Sequence, residues 1–346
     1  GDCPMATNDS GGTALMSTFN DMIEDYRGAV DTQFAKTSIM RGFYPVKSIV
    51  GTDTLVARRV GRTTLQTLTD GVRPTPTRTH FGTVSVQVSV ILLARDERPM
   101  LNEIQTDFDA RAELGSDHGK ELGKKFDESL LIMGRRAAQS DPTTAGSVPG
   151  TNDGLVPGTP APTANGGNSY NGAFGAGKQY NLPALADALD GADLYTAFEA
   201  MLTEMEEEDI DTDEHVIFLR PKQYTAILND MKDSLLNKDL SMDNGDFADG
   251  QVKTLLGVPL VKTARIPNAA EASHELGSEF NTTAVEARCA GILLHPKSIL
   301  VGESIPMQSK IWFNDEEKSW FIDSWMAFGA AVNRSDVSGV IFYPAT

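Results

Sequence analysis

The closest match to a chemical motif in this sequence is a run of glycines that ends in a lysine. Gly172 through Lys178 fits the Gly-x-x-x-x-Gly-Lys part of a phosphate-binding loop. The next residue is Gln179, so the Ser or Thr hydroxyl that binds magnesium is missing, and no hydrophobic strand precedes the glycines. We therefore interpret the match as a coincidence within a Gly-rich segment.

Carboxylates and histidines are the other candidates for metal binding. Asp243, Asp246 and Asp249 lie close together, but their spacing is not that of an EF-hand loop. None of the five histidines belongs to a His-x-x-x-His or Cys/His cluster of the kind that binds zinc. These histidines are His80, His118, His215, His274 and His295. We expect a solvated acidic loop and no metal site.

Acid–base catalysis has one weak candidate, the acidic residues Asp211, Asp213 and Glu214 ahead of a predicted strand. Carboxylates at such a position could exchange protons with a substrate. No second catalytic group accompanies them in the sequence, and no Gly-x-Ser-x-Gly nucleophile elbow occurs. A turn is the better interpretation. The sequence thus predicts no catalytic residue and no cofactor, and an enzyme is the weaker class of protein.

Arginine without lysine marks a different kind of candidate site. No lysine occurs from Ser48 to Gly119. The arginines of this region's arm are Arg58, Arg59, Arg62, Arg73 and Arg78. Arginine suits fixed, bidentate pairing with carboxylates, whereas a merely solvated arm would use lysine as often. The composition therefore favours contact with a partner.

Two predicted strands position these arginines. Val84, Val86, Val88 and Val90 alternate with polar residues, which is the period of a strand with one dry face. The residues from Leu55 to Gly61 form the opposing strand. The intervening 63–81 is far longer than a usual hairpin loop of about two to five residues. We expect an arm that is either disordered or laid on a neighbour.

A long helix is predicted immediately after the arm. Apolar and small residues recur every three or four positions from Ile104 to Ala137, which places them on one helical face. A helix over 103–139 would be roughly 55 Å long, whereas a compact monomer of this size has a diameter of roughly 50 Å. An elongated subunit that tiles with copies of itself is therefore expected.

Glycines on the buried face of this helix allow two interpretations. Gly115 and Gly119 each cost about 1 kcal/mol relative to Ala in a helix. Close approach of another backbone, or a bend, would explain them. The alternative is two shorter helices broken near Gly115–Ser116–Asp117. We favour the continuous or bent helix.

Charge and apolar content exclude several classes of protein. The 346 residues carry a net charge of -18, which argues against tight binding of a nucleic-acid backbone. No apolar run approaches the roughly 20 residues that span a bilayer, so we expect no membrane partner. The two cysteines, Cys3 and Cys289, are far apart and predict reduced thiols in a cytosolic setting.

The remaining sequence predicts an α+β fold. A Gly- and Pro-rich connection covers 141–180, and a helix is then expected with Asn181 as its N-cap. A strand at Val216–Leu219 and a helix from Pro221 follow. The last sixty residues are predicted to be mostly β, with Trp312–Phe313 and Trp320–Phe321 flanking a hairpin turn and a closing strand near Val340.

The order of these elements resembles the major capsid protein of tailed bacteriophages, the Hong Kong ninety-seven-type fold. The resemblance is closest to capsid proteins of short-tailed, T-seven-like phages. It rests on stretches that are weak singly but fairly specific in order and spacing. These are Gly61–Arg62–Thr63, Ile104–Gln139, Arg220–Leu228, Leu256–Val261 and Gly291–His295.

The resemblance implies a division of the chain into parts of that fold. These are an N-terminal arm (1–50), an extended E-loop (51–95), a peripheral domain with the spine helix (96–140), the Gly/Pro-rich connection (141–180), an axial domain (181–295) and a β-rich return (296–346). It also implies self-assembly into hexamers and pentamers of an icosahedral head around double-stranded DNA. Partners would be a scaffolding protein, a portal protein and a decoration protein, first in the host cytoplasm and then in the virion.

Two hypotheses refine this expectation. Some members of the family link the arm covalently through Lys and Asn, and an arm without lysine cannot do so. Arg58, Arg59 and Arg62 would instead pair with acidic residues of a neighbour's spine helix, although pairing within their own subunit is the alternative. The acidic candidates are Asp107, Glu113 and Asp117. An encapsulin-like compartment and, less favoured, a soluble acidic enzyme are the other functions that the sequence allows.

Overall fold

The computed structural model describes residues 26–60, 67–73, 81–99, 110–140, 177–233 and 252–345. The chain divides into two compact units. The first comprises Gly1–Arg41, Ile91–Phe126 and Ile305–Phe328. The second comprises Gly42–Val90, Asp127–Ser304 and Gly329–Thr346.

The described chain is a mixture of helices and strands, as the sequence predicts. The helices are α1 (26–37), α2 (Met40–Phe43), α3 (Ala110–Gln139), α4 (Gly191–Glu207) and α5 (Pro221–Asp233). The strands are β1 (Val46–Ser48), β2 (Thr54–Val60), β3 (Phe81–Gln87), β4 (Leu92–Pro99), β5 (Lys178–Asn181), β6 (Val216–Leu219), β7 (Thr254–Leu255), β8 (Val258–Lys262), β9 (Cys289–Leu294), β10 (Ile299–Asn314), β11 (Ser319–Val332) and β12 (Gly339–Phe342).

The first unit is built on the end of a long hairpin. β11 pairs antiparallel with β4, from Ser319 opposite Pro99 to Met326 opposite Leu92. A small apolar core joins α1 to this sheet and consists of Tyr26, Val30, Ile311 and Ile322. The aromatic pairs that flank the turn between β10 and β11 lie where the sequence predicts them, since β10 ends at Asn314 and β11 begins at Ser319.

The second unit contains a six-stranded mixed sheet in the order β5-β12-β9-β6-β8-β7. Its inner strand β9 is buried along its whole length, which matches the unbroken apolar run Cys289–Leu294. α4 contributes Phe198 and Met201 to the core that also holds Leu293 and Ile341 of the sheet. α4 and α5 pack closely at Gly191. A Cβ atom on this glycine would come 2.5 Å from the Asp230 Cβ atom.

The long helix α3 is continuous through Gly115–Ser116–Asp117, so the alternative of two broken helices is wrong. Its thirty described residues span about 45 Å at the usual rise. The predicted start at Glu103 lies outside the described residues. A Cβ on Gly115 would come 2.8 Å from the Tyr26 ring, and one on Gly119 would come 2.6 Å from the Val30 carbonyl oxygen. Close approach of the α1 backbone therefore explains Gly119, whereas the Tyr26 ring fills the space beside Gly115.

The arm strands form the predicted antiparallel pair. Thr54 lies opposite Gln87 and Val60 lies opposite Phe81. Val84 and Val86 are buried beside Leu300 and Ala331 of the same unit. The second strand ends at Gln87, so its predicted extension to Val90 is wrong.

Two strands and one helix start differ from the sequence prediction. Leu92–Pro99 forms the edge strand β4, although its four charged residues hide the alternation. Asn181 ends β5 and is not a helix N-cap. α4 begins at Gly191, where the Asp190 side chain accepts a hydrogen bond from the Ala192 backbone N–H. Among the described helices, none is long and apolar enough to cross a membrane.

Candidate inter-subunit surfaces

The arm arginines are only partly described. The backbones of Arg58 and Arg59 lie in β2, opposite Thr83 and Gly82. Arg73 is exposed at the end of the segment 67–73. Arg62 and Arg78 lie outside the described residues. The structure therefore places Arg58 and Arg59 in the first strand of the arm. The partners of the arm arginines stay a prediction.

Apolar side chains are exposed beside Arg73. Leu68 is 77% exposed and Val72 is 62% exposed. A turn at Asp70–Gly71 joins them, with the Val72 backbone N–H donating to the Thr69 carbonyl at 3.1 Å. Single exposed apolar residues are ordinary, but two in a seven-residue segment are suited to cover by another chain.

The acidic candidates of the spine helix are exposed where they are described. Glu113 and Asp117 lie on the exposed part of α3, and Asp107 lies outside the described residues. Lys120 Nζ is 3.2 Å from Asp117 Oδ1. Such an exposed pair contributes little to stability, so Asp117 can exchange this partner for another cation.

A Ser–His–Asp arrangement that the sequence did not reveal occurs in the first unit. Ser324 Oγ lies 3.3 Å from His118 Nδ1, and His118 Nε2 lies 2.9 Å from Asp96 Oδ2. Ser324 has no exposed surface, and the Tyr26 hydroxyl also contacts both Ser324 and His118, at 2.7 and 3.1 Å. Burial raises the pKa of Tyr26 to about 12. A fully buried serine cannot reach a substrate, so this network fastens α1 and α3 to β11.

Arg95 organises a second cluster in the same unit. Its guanidinium donates to both carboxylate oxygens of Asp323, at 2.7 and 2.9 Å, and Trp312 Nε1 donates to Asp323 at 2.9 Å. Although burial of Asp323 opposes ionisation, these hydrogen bonds hold the pKa of its carboxyl below the usual value. The Trp312 and Phe321 rings stack with their centroids 4.8 Å apart. The aromatic pairs were visible in the sequence, but the arginine that joins them was not.

The other chemical candidates have structural roles in the described chain. Lys178, the last residue of the glycine-lysine match, places its Nζ atom 2.9 Å from Glu204 and 2.5 Å from Glu208. Asp211 accepts from the Asp213 backbone N–H at 3.0 Å, which is the turn that the sequence predicts. Asp243, Asp246 and Asp249 lie outside the described residues.

Comparison with known families decides what these surfaces belong to. Residues 102–291 match the family described as Gp10A-like major capsid proteins, and this range is more than half of the chain. The chain belongs to that family of major capsid proteins. It is thus a structural protein of the bacteriophage virion, where copies of it assemble into the capsid shell.

Solved structures share the fold of this capsid protein. It is similar to the capsid of the cyanophage P-SCSP1u, with a TM-score of 0.72, 16% identity and coverage of 89% of each chain. The mature capsid of bacteriophage PhiM1 gives a TM-score of 0.71 and 22% identity, over 89% of this chain and 88% of that chain. Mycobacterium phage Che8 gives 0.55 and 13% identity over 84% of each chain. No curated protein sequence matches the chain. The Hong Kong ninety-seven-type fold is confirmed.

Proposed function

We propose that this capsid protein forms the hexamers and pentamers of an icosahedral head that encloses double-stranded DNA in a short-tailed, T-seven-like phage. The observation that carries the proposal is the family match over 102–291, which includes the described spine helix α3 and most of the six-stranded sheet. The order of the short motifs supports the T-seven-like subtype.

The parts of the subunit follow from the same proposal. Residues 51–95 act as the E-loop, which is supported by the paired strands β2 and β3 and by the exposed Leu68 and Val72. Residues 1–50 act as an N-terminal arm, 96–140 as the peripheral domain, 141–180 as a connection, 181–295 as the axial domain and 296–346 as the return. The role is structural rather than enzymatic, in keeping with the buried Ser324.

The shell holds together without covalent links from the arm. Ser48 to Gly119 contains no lysine, so a Lys–Asn link cannot start there. The arm arginines Arg58, Arg59 and Arg62 instead pair with acidic residues of a neighbouring spine helix, and a decoration protein adds further contacts. A scaffolding protein and a portal protein complete the assembly. The net charge of -18 keeps the packaged DNA from binding tightly to the wall.

Nucleic acid inside purified particles tests the proposal. Particles from an infected host, treated with nuclease and then opened, should release protected double-stranded DNA. Under denaturing electrophoresis with reducing agent, which removes disulfides but not Lys–Asn links, the subunit should run at its monomer mass of 37.3 kDa. Particles that contain a cargo enzyme and no DNA would instead indicate an encapsulin-like compartment, and covalent subunit ladders would contradict the absence of links.

A further inference from the structure

A cavity on the second unit has the properties of a docking pocket for an acidic segment. Its volume is about 470 Å³, and it opens at the start of α5. Leu185 and Leu189 form an apolar wall with 42% and 56% of their surfaces exposed. Arg220, Lys222 and Gln223 form the polar side.

The polar side of the pocket carries positive charge, and α5 has no acidic residue in its first turn to balance it. This helix has thirteen residues, and the free N–H groups at its start attract an anion. Lys222 is exposed there. The Arg220 guanidinium lies beside it and donates to the Ile266 carbonyl from Nε and Nη2, at 3.3 and 3.2 Å.

The pocket combines cations with an apolar wall. A segment of polypeptide that carries carboxylates suits both parts. Its carboxylates accept hydrogen bonds from the cations, and the aliphatic parts of its side chains pack against Leu185 and Leu189.

Negative charge is displayed at the C-terminal end of α4 in the same unit. α4 ends at Glu207 with no basic residue in its last turn, so its acidic residues oppose the helix dipole. Lys178 contacts Glu204 and Glu208 of this region. The other exposed carboxylates from the end of α4 to the start of β6 include Glu206, Glu207, Asp209, Asp211 and Asp213. We name residues 206–213 the acidic turn.

The acidic turn and the pocket lie at opposite ends of two shared elements. The acidic turn lies before β6 in the chain, and Arg220 directly follows β6. The pocket residue Leu189 lies just before α4, and the turn begins where α4 ends, about 25 Å away along seventeen residues. A subunit therefore cannot insert its own turn into its own pocket. A head-to-tail contact between copies can join them, and such contacts form a ring when the rotation from copy to copy closes.

We propose that the acidic turn of one copy docks into the Arg220–Gln223 pocket of the next copy around a capsomer. This inference rests on the proposed capsid function. Carboxylates of the turn accept from the Lys222 ammonium group and from the first backbone N–H groups of α5. The nearby carboxylates Asp187 and Asp190 already accept from the backbone N–H groups of Ala184 and Ala192.

Cross-linking of wild-type particles tests the contact without any substitution. Particles assembled from a mixture of isotopically heavy and light chains are treated with a carbodiimide, which joins an amine to a touching carboxylate. Mass spectrometry should find Lys222 linked to a carboxylate of residues 206–213, with half of the links joining heavy to light chains in an equal mixture. Links of Lys222 only to other carboxylates, or only within one chain, would overturn the proposal, and so would a complete absence of links.

Charge reversal provides the second test. Lys222→Glu and Glu207→Lys should each lower the yield of particles by about tenfold, because like charges then face each other across the interface. The combined variant K222E/E207K should recover most of the yield. Lys253→Glu and Glu199→Lys are matched controls, since both residues are exposed on the same unit and neither lines the pocket or belongs to the turn. Circular dichroism of the unassembled subunits confirms that each variant is folded.

The outcomes separate this contact from the capsid function itself. If wild-type protein forms particles and the single reversals assemble as well as the controls, the docking contact is wrong and the capsid function stands. If the combined variant is no better than the single variants, the pairing is also wrong. If wild-type protein forms no particles under any assembly condition, the capsid function fails and the docking contact fails with it.

Discussion

Gly119 of the spine helix packs directly on the backbone of Val30, because a Cβ atom at position 119 would lie only 2.6 Å from the Val30 carbonyl oxygen. The same Cβ would lie 3.1 Å from the Phe34 backbone nitrogen. α1 and α3 therefore touch main chain to main chain at this point. Glycine occurs at this position despite its low helix propensity, because a side chain would collide with the α1 backbone.

We predict that Gly119→Ala destabilises the subunit by about 1–3 kcal/mol, the usual cost of overpacking. This net loss would occur despite the gain of about 1 kcal/mol in helix propensity. Urea unfolding of the unassembled protein measures it. Gly123→Ala is the control, since its Cβ would lie 3.3 Å or more from its neighbours, chiefly the Thr37 side chain. Equal stability of the two variants would show that the contact with Val30 is not close.

A buried cation in the second unit gives another prediction. Arg135 is fully buried and donates to the Glu286 backbone carbonyl at 3.1 Å and to Thr282 Oγ1 at 3.3 Å. The Glu286 carboxylate lies 3.7 Å away. Burial lowers the pKa of the Arg135 guanidinium, and Glu286 opposes that effect.

We predict that Glu286→Gln costs about 3 kcal/mol, because it leaves an uncompensated charge inside the protein. Replacing the cation as well, in the double variant R135M/E286Q, should recover part of that loss. Denaturant unfolding of the wild type, of the single variants E286Q and R135M and of the double variant forms the cycle that measures the coupling. Additive losses in the double variant would mean that the two groups do not interact.

Acid should weaken the second unit through a histidine pair. The rings of His215 and His295 lie 5.0 Å apart, and His295 Nε2 lies 3.4 Å from Glu214 Oε2. Burial and the charges of His215, Lys297 and Arg334 lower the pKa of His295 from 6.5 to about 4, against the opposing effect of Asp211. Burial also lowers the pKa of His215.

Because the folded pKa is depressed, His295 contributes full stability above pH 6.5 and loses it as the pH falls towards 4. The unfolded chain binds a proton in that window and the folded chain does not, so the free energy of unfolding should fall by up to about 1.4 kcal/mol per pH unit. Unfolding measured from pH 7 to pH 5 in wild type and in His295→Asn tests this. A slope that the substitution leaves unchanged would exclude His295 as the source.

Reversing the arm arginines should block assembly and leave the subunit soluble. If these arginines pair with acidic residues of a neighbouring spine helix, then Arg58→Glu, Arg59→Glu and Arg62→Glu bring like charges together, and we expect a loss of particles of about tenfold or more. Sedimentation separates particles from free subunits. Lys253→Glu, which makes the same charge change at an exposed site, is the control. Normal particles from the arginine variants would rule out this pairing.

The sequence predicted those elements whose signals are local. Val216–Leu219 is a continuous apolar run and Pro221 favours the first turn of a helix, so β6 and α5 were predicted at their observed starts. β4 was missed because an edge strand takes its pairing from the distant β11, and because its four charged residues hide the alternation of a strand. The start of α4 was misplaced because β5 pairs with β12, more than 150 residues later in the chain.

The candidate surfaces depend still more on distant contacts. Asp96, His118 and Ser324 come from three separate elements, and only the fold places them within hydrogen-bond distance. The pocket residues Arg220 to Gln223 were noted in the sequence as part of a family-like motif. Their place in one cavity with Leu185 and Leu189 became visible only in the folded chain, because the sequence misplaced the start of α4.

Electron microscopy of the purified protein, in negative stain under assembly conditions, tests the central claim most directly. A major capsid protein with the fold described here should form closed icosahedral shells of uniform diameter, built from rings of six and five subunits. Particles no larger than a small oligomer, under conditions in which the subunit is folded, would contradict the account.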